Sequence, residues 1–113
     1  MTATAQTKYK NQARVIKALA HPTRLFIVDE LSRGERSVRE LTDMIGVEMP
    51  TVSRHLGVLR NVGILADDKR GLQVFYRLRV PCVLNFFKCV EAVQRSDGRP
   101  GKIIVARETN CAL

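Results

Sequence analysis

One stretch of the chain, residues 37–78, constrains the fold more than any other, because it sets two short amphipathic segments and a hairpin in a fixed order. In the first segment, Val38, Leu41 and Ile45 follow the three- and four-residue spacing of an amphipathic helix. Gly46 then ends this helix, since glycine accepts the left-handed conformation common just past a helix C-terminus. The pattern predicts a helix from Val38 to Ile45 that stops at a turn.

The second segment begins at Pro50 and closes before Gly63. Proline suits the first helical position, because its fixed backbone angle and missing N–H cost nothing there. The apolar face of this helix is formed by Val52, Leu56 and Leu59. The residues left pointing outward are small or hydrogen-bonding: Thr51, Ser53, Arg54, Gly57 and Arg60. Such a face can approach bases and phosphates closely, so we predict that it reads DNA.

After Gly63 the helical spacing gives way to the pattern of a β-hairpin. A charged turn over residues 67–71 precedes alternating side chains over residues 72–78. Lys69 and Arg70 lie beside the turn, where the wing of a winged helix would meet phosphates. The alternative is that these charges only solvate a loop.

The remaining helices are predicted from apolar spacing interrupted by proline: residues 8–20, 22–32 and 80–95. Residues 1–7 are small and polar, and we expect a flexible arm. The domain then covers residues 8–96, and residues 97–113 form a C-terminal tail that carries Cys111. The predicted fold is mainly α with a small β-hairpin, a winged helix-turn-helix.

Composition points to an anionic partner. The net charge of +8 and the pI near 10 favour nucleic acid or an acidic membrane surface. The longest mostly apolar run, residues 80–87, is far shorter than the roughly 20 residues of a spanning helix, and the N-terminus lacks the pattern of a signal peptide. Three cysteines, an odd number, do not close a disulfide framework. We therefore expect free thiols, a cytoplasmic location and no membrane partner.

The last helix is apolar around more of its circumference than one buried face requires, which favours burial against a second copy of the chain. It carries Cys82 and Cys89, whose separation of seven residues is roughly 10 Å along a helix. Bridged cysteines need Cα atoms within about 7 Å, so these two cannot share a disulfide or a metal inside an intact helix. Sensing would need a cysteine of the partner chain or Cys111. The alternative is that the cysteines are small buried hydrophobes.

Four motifs occur along the chain in the following order: His21-Pro22-Thr23-Arg24-Leu25, Ser53-Arg54-His55-Leu56, Gly63-Ile64-Leu65 and Tyr76-Arg77-Leu78. Together they resemble the ArsR/SmtB family of bacterial winged-helix repressors, and the resemblance covers about residues 10 to 95. It implies a homodimer, formed through the first and last helices, that binds a near-palindromic operator. It also implies release by a metal, a metalloid or an oxidative thiol change.

The chain departs from this family in two places. Many members carry Cys-Val-Cys in the helix before the recognition helix, and here the matching residues are Ser37, Val38 and Arg39. The usual arsenic site on that helix is therefore absent, and Arg39 becomes a candidate DNA contact. Other members bind zinc on the last helix through Asp and His, but no histidine follows His55.

The sequence therefore predicts a transcriptional repressor and not an enzyme, since no cysteine has a visible base beside it. The predicted contacts with double-stranded operator DNA are Ser37, Arg39, Pro50, Thr51, Ser53, Arg54, His55, Arg60, Lys69, Arg70 and Gln73. His21 is expected to cap and pack, and His55 to contact phosphate or a neighbouring side chain.

The candidate switch is formed by Cys82, Cys89 and Cys111. Its candidate ligand is As(III) or another thiophilic metal ion, because soft ions favour thiolates. Oxidation or a polysulfide bridge would use the same thiols. Two alternatives stay open: a DNA-binding regulator whose cysteines are structural, and a winged-helix module that binds a protein partner.

Overall fold

A computed structural model describes residues 1–95, and the predicted tail with Cys111 lies outside them. The elements follow one another as α1 (Ala3–Leu19), α2 (Pro22–Leu31), β1 (Arg36–Ser37), α3 (Val38–Ile45), α4 (Met49–Asn61), β2 (Leu65–Arg70), β3 (Gln73–Leu78) and α5 (Val83–Arg95). The chain consists of two compact units: the first is Met1–Arg79, and the second begins at Val80. The predicted mainly α fold with a small hairpin is confirmed.

Helix α3 has the bounds that its sequence predicts. Ser37 is its N-cap, and Ser37 and Glu40 exchange hydrogen bonds as a capping box. Gly46 ends the helix with φ 80°, the left-handed conformation that glycine adopts without strain. Local chemistry at both ends therefore sets where this helix starts and stops.

Helix α1 begins earlier than predicted. The hydroxyl of Thr2 accepts a hydrogen bond from the Ala5 N–H at 3.1 Å, and the Thr7 hydroxyl donates to the Ala3 carbonyl at 3.1 Å. Residues 3–7 therefore do not form the flexible arm that their small polar side chains suggested. A capping threonine followed by alanines, the best helix formers, extends the helix through them.

Helix α4 begins one residue earlier than expected, with Glu48 as its N-cap and Met49 as its first residue. Pro50 is thus the second helical residue, where its missing N–H is still one that the helix leaves unpaired. On the inner side of α4, Val52, Leu56 and Leu59 are fully buried. These residues place α4 in the core, where it packs against α1, α2, α3 and β2.

The sheet has three antiparallel strands in the order β1-β3-β2. The charged residues predicted as a turn lie instead in β2, which pairs with β3 from Leu65↔Leu78 to Arg70↔Gln73. The turn between the strands is Gly71 and Leu72, and Gly71 takes φ 63°. The β2–β3 hairpin is the wing. Strand β1 was not predicted, because its two residues become a strand only by pairing with β3.

The second unit contributes α5, whose first helical residue is Val83 and not residue 80. Turn hydrogen bonds join residues 80–82 to the first residues of α5, the last of them from the Asn85 N–H to the Cys82 carbonyl at 3.0 Å. No residue of α5 is buried, and Phe86, Val90 and Val93 are exposed. Across residues 1–95, every helix is too short or too polar to cross a membrane.

Candidate nucleic-acid interface

Helix α4 presents an open face to solvent on the side opposite its buried residues. This face carries residues at intervals of four, three and four positions: Pro50, Arg54, Gly57 and Asn61. At Gly57 an added Cβ would meet no atom within 4 Å, so nothing in the fold requires glycine there. A helix face without large apolar side chains can enter a major groove, which is about 12 Å wide.

Arg54 is the cation at the centre of this face. It is exposed, and within the described residues it makes no hydrogen bond or ion pair. Ser53 beside it is also exposed, whereas Thr51 is half-buried. A guanidinium with no internal partner can pair with a phosphate or with guanine without first breaking a contact in the protein.

The structure does not support His55 as a DNA contact, although the sequence placed it among the predicted contacts. Its half-buried ring lies against α2, where the Arg24 Nε–H donates to the His55 Nδ1 at 3.0 Å. The ring also lies 4.5 Å from the ring of His21, measured between centroids. Position 55 follows Val52 by three and precedes Leu59 by four, so helical spacing puts it next to the buried side. Of the two predicted roles, contact with a neighbouring side chain is the one observed.

The environment of His55 disfavours its protonated form. Burial lowers the pKa of His55 below its ordinary value of 6.5, and the neighbouring basic side chains His21, Arg24 and Arg54 lower it further. The ring is therefore kept neutral, as an acceptor for Arg24 requires.

Ser37 is also turned inward, and the structure does not support it as a DNA contact. It is only 3% exposed. Its hydroxyl accepts from the Glu40 N–H at 3.1 Å, and its own N–H donates to the Glu40 carboxylate at 3.0 Å. This backbone donation lowers the pKa of Glu40. Arg39, two residues further on, is exposed and forms no ion pair within residues 1–95, so its DNA contact stays a prediction.

The two wing cations point to opposite sides of the sheet, because neighbouring residues of a strand alternate. Lys69 lies opposite Val74, and Arg70 lies opposite Gln73. Lys69 is exposed without a partner in the part of the chain that the structure describes. Gln73 is exposed beside the turn, at the tip of the wing. Lys69 and Gln73 are therefore both free to bind an external group.

Arg70 is held by other residues of the protein. It pairs with Glu35 at 2.7 Å and with Asp68 at 2.9 Å, and its guanidinium carbon lies 4.6 Å from the centre of the Phe75 ring. The hydrogen bond to Glu35, followed by that to Asp68, raises the pKa of Arg70. The predicted phosphate contact would require these ion pairs to open.

Arg60 is likewise paired, with Asp67 of β2 at 3.0 Å. The hydrogen bond to Asp67 raises the pKa of Arg60. The pair joins the end of α4 to the base of the wing, so Arg60 fixes the wing beside the helix instead of standing free for DNA.

Two exposed residues beside these sites were missed. Asn61 completes the outer face of α4, four residues after Gly57, and helical spacing alone could have found it. Arg77 is exposed on β3, without a partner among residues 1–95. Strand alternation puts Arg77 on the same side as Gln73 and Phe75. The unpaired cations near the helix-turn-helix and wing are thus Arg39, Arg54, Lys69 and Arg77.

The two described cysteines are free. Cys89 lies in α5 and is exposed, whereas Cys82 is half-buried and precedes the first residue of α5. Cys82 is therefore not inside the helix as predicted. Residues 1–95 contain no group of three or more His, Cys, Asp or Glu side chains that could hold a metal ion. The predicted three-cysteine site includes Cys111 and lies partly outside these residues.

A helix-turn-helix with a wing and with an open cationic face on its second helix defines a class of DNA-binding proteins. Comparisons with known proteins agree with this assignment. Residues 21–67 match the family described as "Bacterial regulatory protein, arsR family". The chain is 46% identical over 79 residues to the biofilm growth-associated repressor of Xylella fastidiosa, covering 69% of each protein.

Solved structures show the same fold. The transcriptional repressor BigR from Xylella fastidiosa is 40% identical, with a TM-score of 0.61, over 84% of this chain and 95% of that one. A homodimeric winged helix-turn-helix domain, Mb0332 from Mycobacterium bovis, is 28% identical, with a TM-score of 0.73, over 90% and 94%.

The chain belongs to the arsR family of bacterial regulatory proteins, which are DNA-binding transcription regulators and not enzymes. The predicted family, winged-helix fold and non-enzymatic class are confirmed.

Proposed function

We propose that this chain is a homodimeric transcriptional repressor that binds a near-palindromic operator, with α4 in the major groove and the wing against the phosphates. The observation that carries the proposal is the outer face of α4, where unpaired Arg54 stands beside the open surface at Gly57. Three further unpaired cations, Arg39, Lys69 and Arg77, supply charge for phosphates. The relative from Xylella fastidiosa is itself named a repressor.

Dimerisation through α1 and α5 is supported by the apolar side chains that these helices leave exposed. Tyr9 and Ile16 are exposed on α1, and Phe86, Val90 and Val93 are exposed on α5. Apolar patches of this kind mark surfaces that associate. The similar domain Mb0332 is described as homodimeric. The two α4 helices of such a dimer, related by a twofold axis, would contact half-sites one DNA turn apart, about 34 Å.

The proposed signal is a thiol-reactive one sensed at Cys82, Cys89 and Cys111. The exposure of Cys89 supports this, because a cysteine that serves only as a core hydrophobe would be buried. The ligand would be As(III) or another thiophilic metal ion, or the thiols would be oxidised or bridged by polysulfide. Release requires that the modified state bind DNA less tightly than the reduced state.

The first test measures binding of reduced protein to the duplex upstream of its own gene, across a series of salt concentrations. Phosphate neutralisation predicts a linear fall of log affinity with log salt. Weak binding that does not depend on salt would contradict the proposal and favour a module that binds a protein partner.

The second test adds arsenite, cadmium and inorganic polysulfide separately to the preformed complex. Release by one of them that Cys89→Ser abolishes is the expected result and identifies the signal class. Cys82→Ser tests the other described cysteine of the proposed switch, and its free energy of unfolding is measured as well, because substitution of a half-buried side chain also affects stability. Tight binding that none of the three disturbs would leave a repressor with structural cysteines.

A further inference from the structure

Three side chains join the C-terminal end of α1, the start of α2 and the inner side of α4. His21 is the N-cap of α2, and its Nδ1 accepts a hydrogen bond from the Thr23 N–H at 3.1 Å. Arg24 donates from Nε to the His55 Nδ1 at 3.0 Å, and from a terminal nitrogen to the Ala18 carbonyl at 3.3 Å. The rings of His21 and His55 lie 4.5 Å apart, tilted by 46°. We name this group the His21–Arg24–His55 cluster.

Both imidazoles in the cluster work as acceptors through Nδ1. An acceptor nitrogen carries no proton, so each ring must be neutral, with its proton on Nε2. A protonated ring would direct an N–H at another donor, which is the backbone N–H of Thr23 for His21 and the guanidinium of Arg24 for His55. Arg24 stays charged at all working pH values. Protonation therefore breaks both hydrogen bonds and adds repulsion.

The charged surroundings offer His55 no compensation. The groups that act on its charge are His21 from the α2 N-cap, Arg24 from α2 and Arg54 from α4 itself. All three are basic. Burial lowers the pKa of His55 below 6.5, and these three side chains lower it further. Neutral His55 therefore contributes fully to the free energy of unfolding above about pH 6.5. This contribution is lost as the pH falls through the lowered pKa of His55.

We infer that His55 is a positioning residue, whose neutral ring holds α4 against Arg24 in the orientation that DNA binding needs, so that protonation of the cluster weakens operator binding. The inference rests on the proposed function. Arg54 immediately precedes His55 on the same helix. A shift of α4 at His55 therefore moves the residue that we place on the DNA.

The sign of the effect separates this role from a direct phosphate contact. A histidine at a phosphate binds better when it is charged, so acid would tighten DNA binding. The His21–Arg24–His55 cluster predicts the opposite, a weaker complex in acid. The chain has only two histidines, and both are in the cluster. Carboxylates ordinarily titrate near pH 4 and thiols near pH 8.5, so a change between these values that the two histidine substitutions abolish belongs to the cluster.

The test is the affinity of the reduced full chain for a fluorescent duplex from the DNA upstream of its gene, at constant ionic strength, from about pH 7.5 to about pH 5.5. The wild type is expected to lose affinity several-fold, with an upper limit of about tenfold for His55, whose pKa lies below 6.5. In the double variant His21→Asn/His55→Asn, each side chain carries an oxygen close to the place of Nδ1 and cannot titrate. Asparagine is also a good N-cap. We expect the affinity of this variant for the duplex to show no dependence on pH over this range.

A further variant, His55→Ala, removes the acceptor and leaves the Arg24 donor unpaired. It is expected to bind more weakly than the wild type near pH 7.5, and His55→Asn to restore most of the lost affinity. Circular dichroism of each variant checks that it is folded.

Proton linkage provides a second measurement on the wild type alone. If protons oppose DNA binding, DNA binding must release protons. Titration calorimetry near pH 6.5, in buffers of different ionisation enthalpy, measures this release.

Three results would overturn the inference: tighter binding in acid, an equal pH profile in wild type and double variant, or proton uptake on binding. Failure of the protein to bind the duplex at any pH would instead count against the proposed function, and thereby against the inference that rests on it.

Discussion

Helix α4 and the wing both carry arginine at the surface, but they use it in different ways. Arg54 of α4 has no partner within residues 1–95, whereas Arg70 of the wing is bound by Glu35 and Asp68 and covers Phe75. Arg60 shows that the division follows the partner and not the element, since it lies in α4 and pairs with Asp67. A cation paired inside the fold must break that pair before it can bind phosphate. Net charge therefore indicates a DNA-binding protein without indicating which cations bind DNA.

The largest effect is expected from Arg54→Ala, compared with Arg70→Ala. Removing the unpaired arginine should cost about 1–3 kcal/mol of DNA affinity, a factor of roughly 5 to 150, as for a direct base or phosphate contact. Removing Arg70 should cost much less, because its guanidinium is already occupied. Fluorescence anisotropy with the same duplex measures both. An equal or larger loss for Arg70→Ala would refute the division between free and paired arginines.

A second pair of variants applies the same comparison to serine. Ser37→Ala removes a helix cap and should lower the free energy of unfolding by about 1 kcal/mol, with little change in the affinity of the folded protein for DNA. Ser53→Ala, on the exposed side of α4, should leave stability within about 0.5 kcal/mol of the wild type. Denaturant unfolding measures the stabilities. If Ser37→Ala leaves stability unchanged, the capping box does not contribute as described.

Gly57→Ala should separate folding from binding in a single variant. Alanine in the middle of a helix is favoured over glycine by about 0.5–1 kcal/mol, and the added Cβ meets nothing in the fold. We therefore expect higher stability and weaker DNA binding, because the new methyl group stands on the face that approaches the groove. A more stable variant that binds DNA as well as the wild type would show that the groove does not come close to Gly57.

The smallest effect is expected in the salt dependence of Lys69→Ala. A lysine that neutralises one phosphate contributes about one unit to the slope of log affinity against log salt. The slope should fall by that amount in Lys69→Ala and change less in Arg70→Ala. Affinity measured over a salt series gives both slopes. If the two variants share one slope, the wing cations are equivalent and the contrast between them is lost.

The parts of the fold that depend on local chemistry were predictable from the sequence. Helix α3 was assigned from Val38 to Ile45, because apolar spacing and Gly46 act within a few residues. The ends of β2 and the existence of β1 were not predictable in this way. The charges in β2 resemble a loop until its backbone pairs with β3, and β1 has no pattern of its own.

The same distinction applies to the candidate site. Helical spacing correctly places Arg54 and Ser53 outward, and it also places His55 next to the buried side, between Val52 and Leu59. The partners of Arg70 could not have been found, because Glu35 is 35 positions away in the chain. Availability of a charged side chain is a property of three-dimensional neighbours, which one-dimensional patterns do not contain.

Ser37 belongs to two elements at once, because it pairs with Phe75 as the last residue of β1 and caps α3 as the residue before Val38. The wing and the helix-turn-helix therefore share a covalent anchor point. Separating β1 from β3 would disturb the N-cap residue of α3, so the wing and the helix-turn-helix are expected to open together. Amide hydrogen exchange would then report a single cooperative unit, and the protein would engage or leave its operator with helix and wing in a constant mutual arrangement.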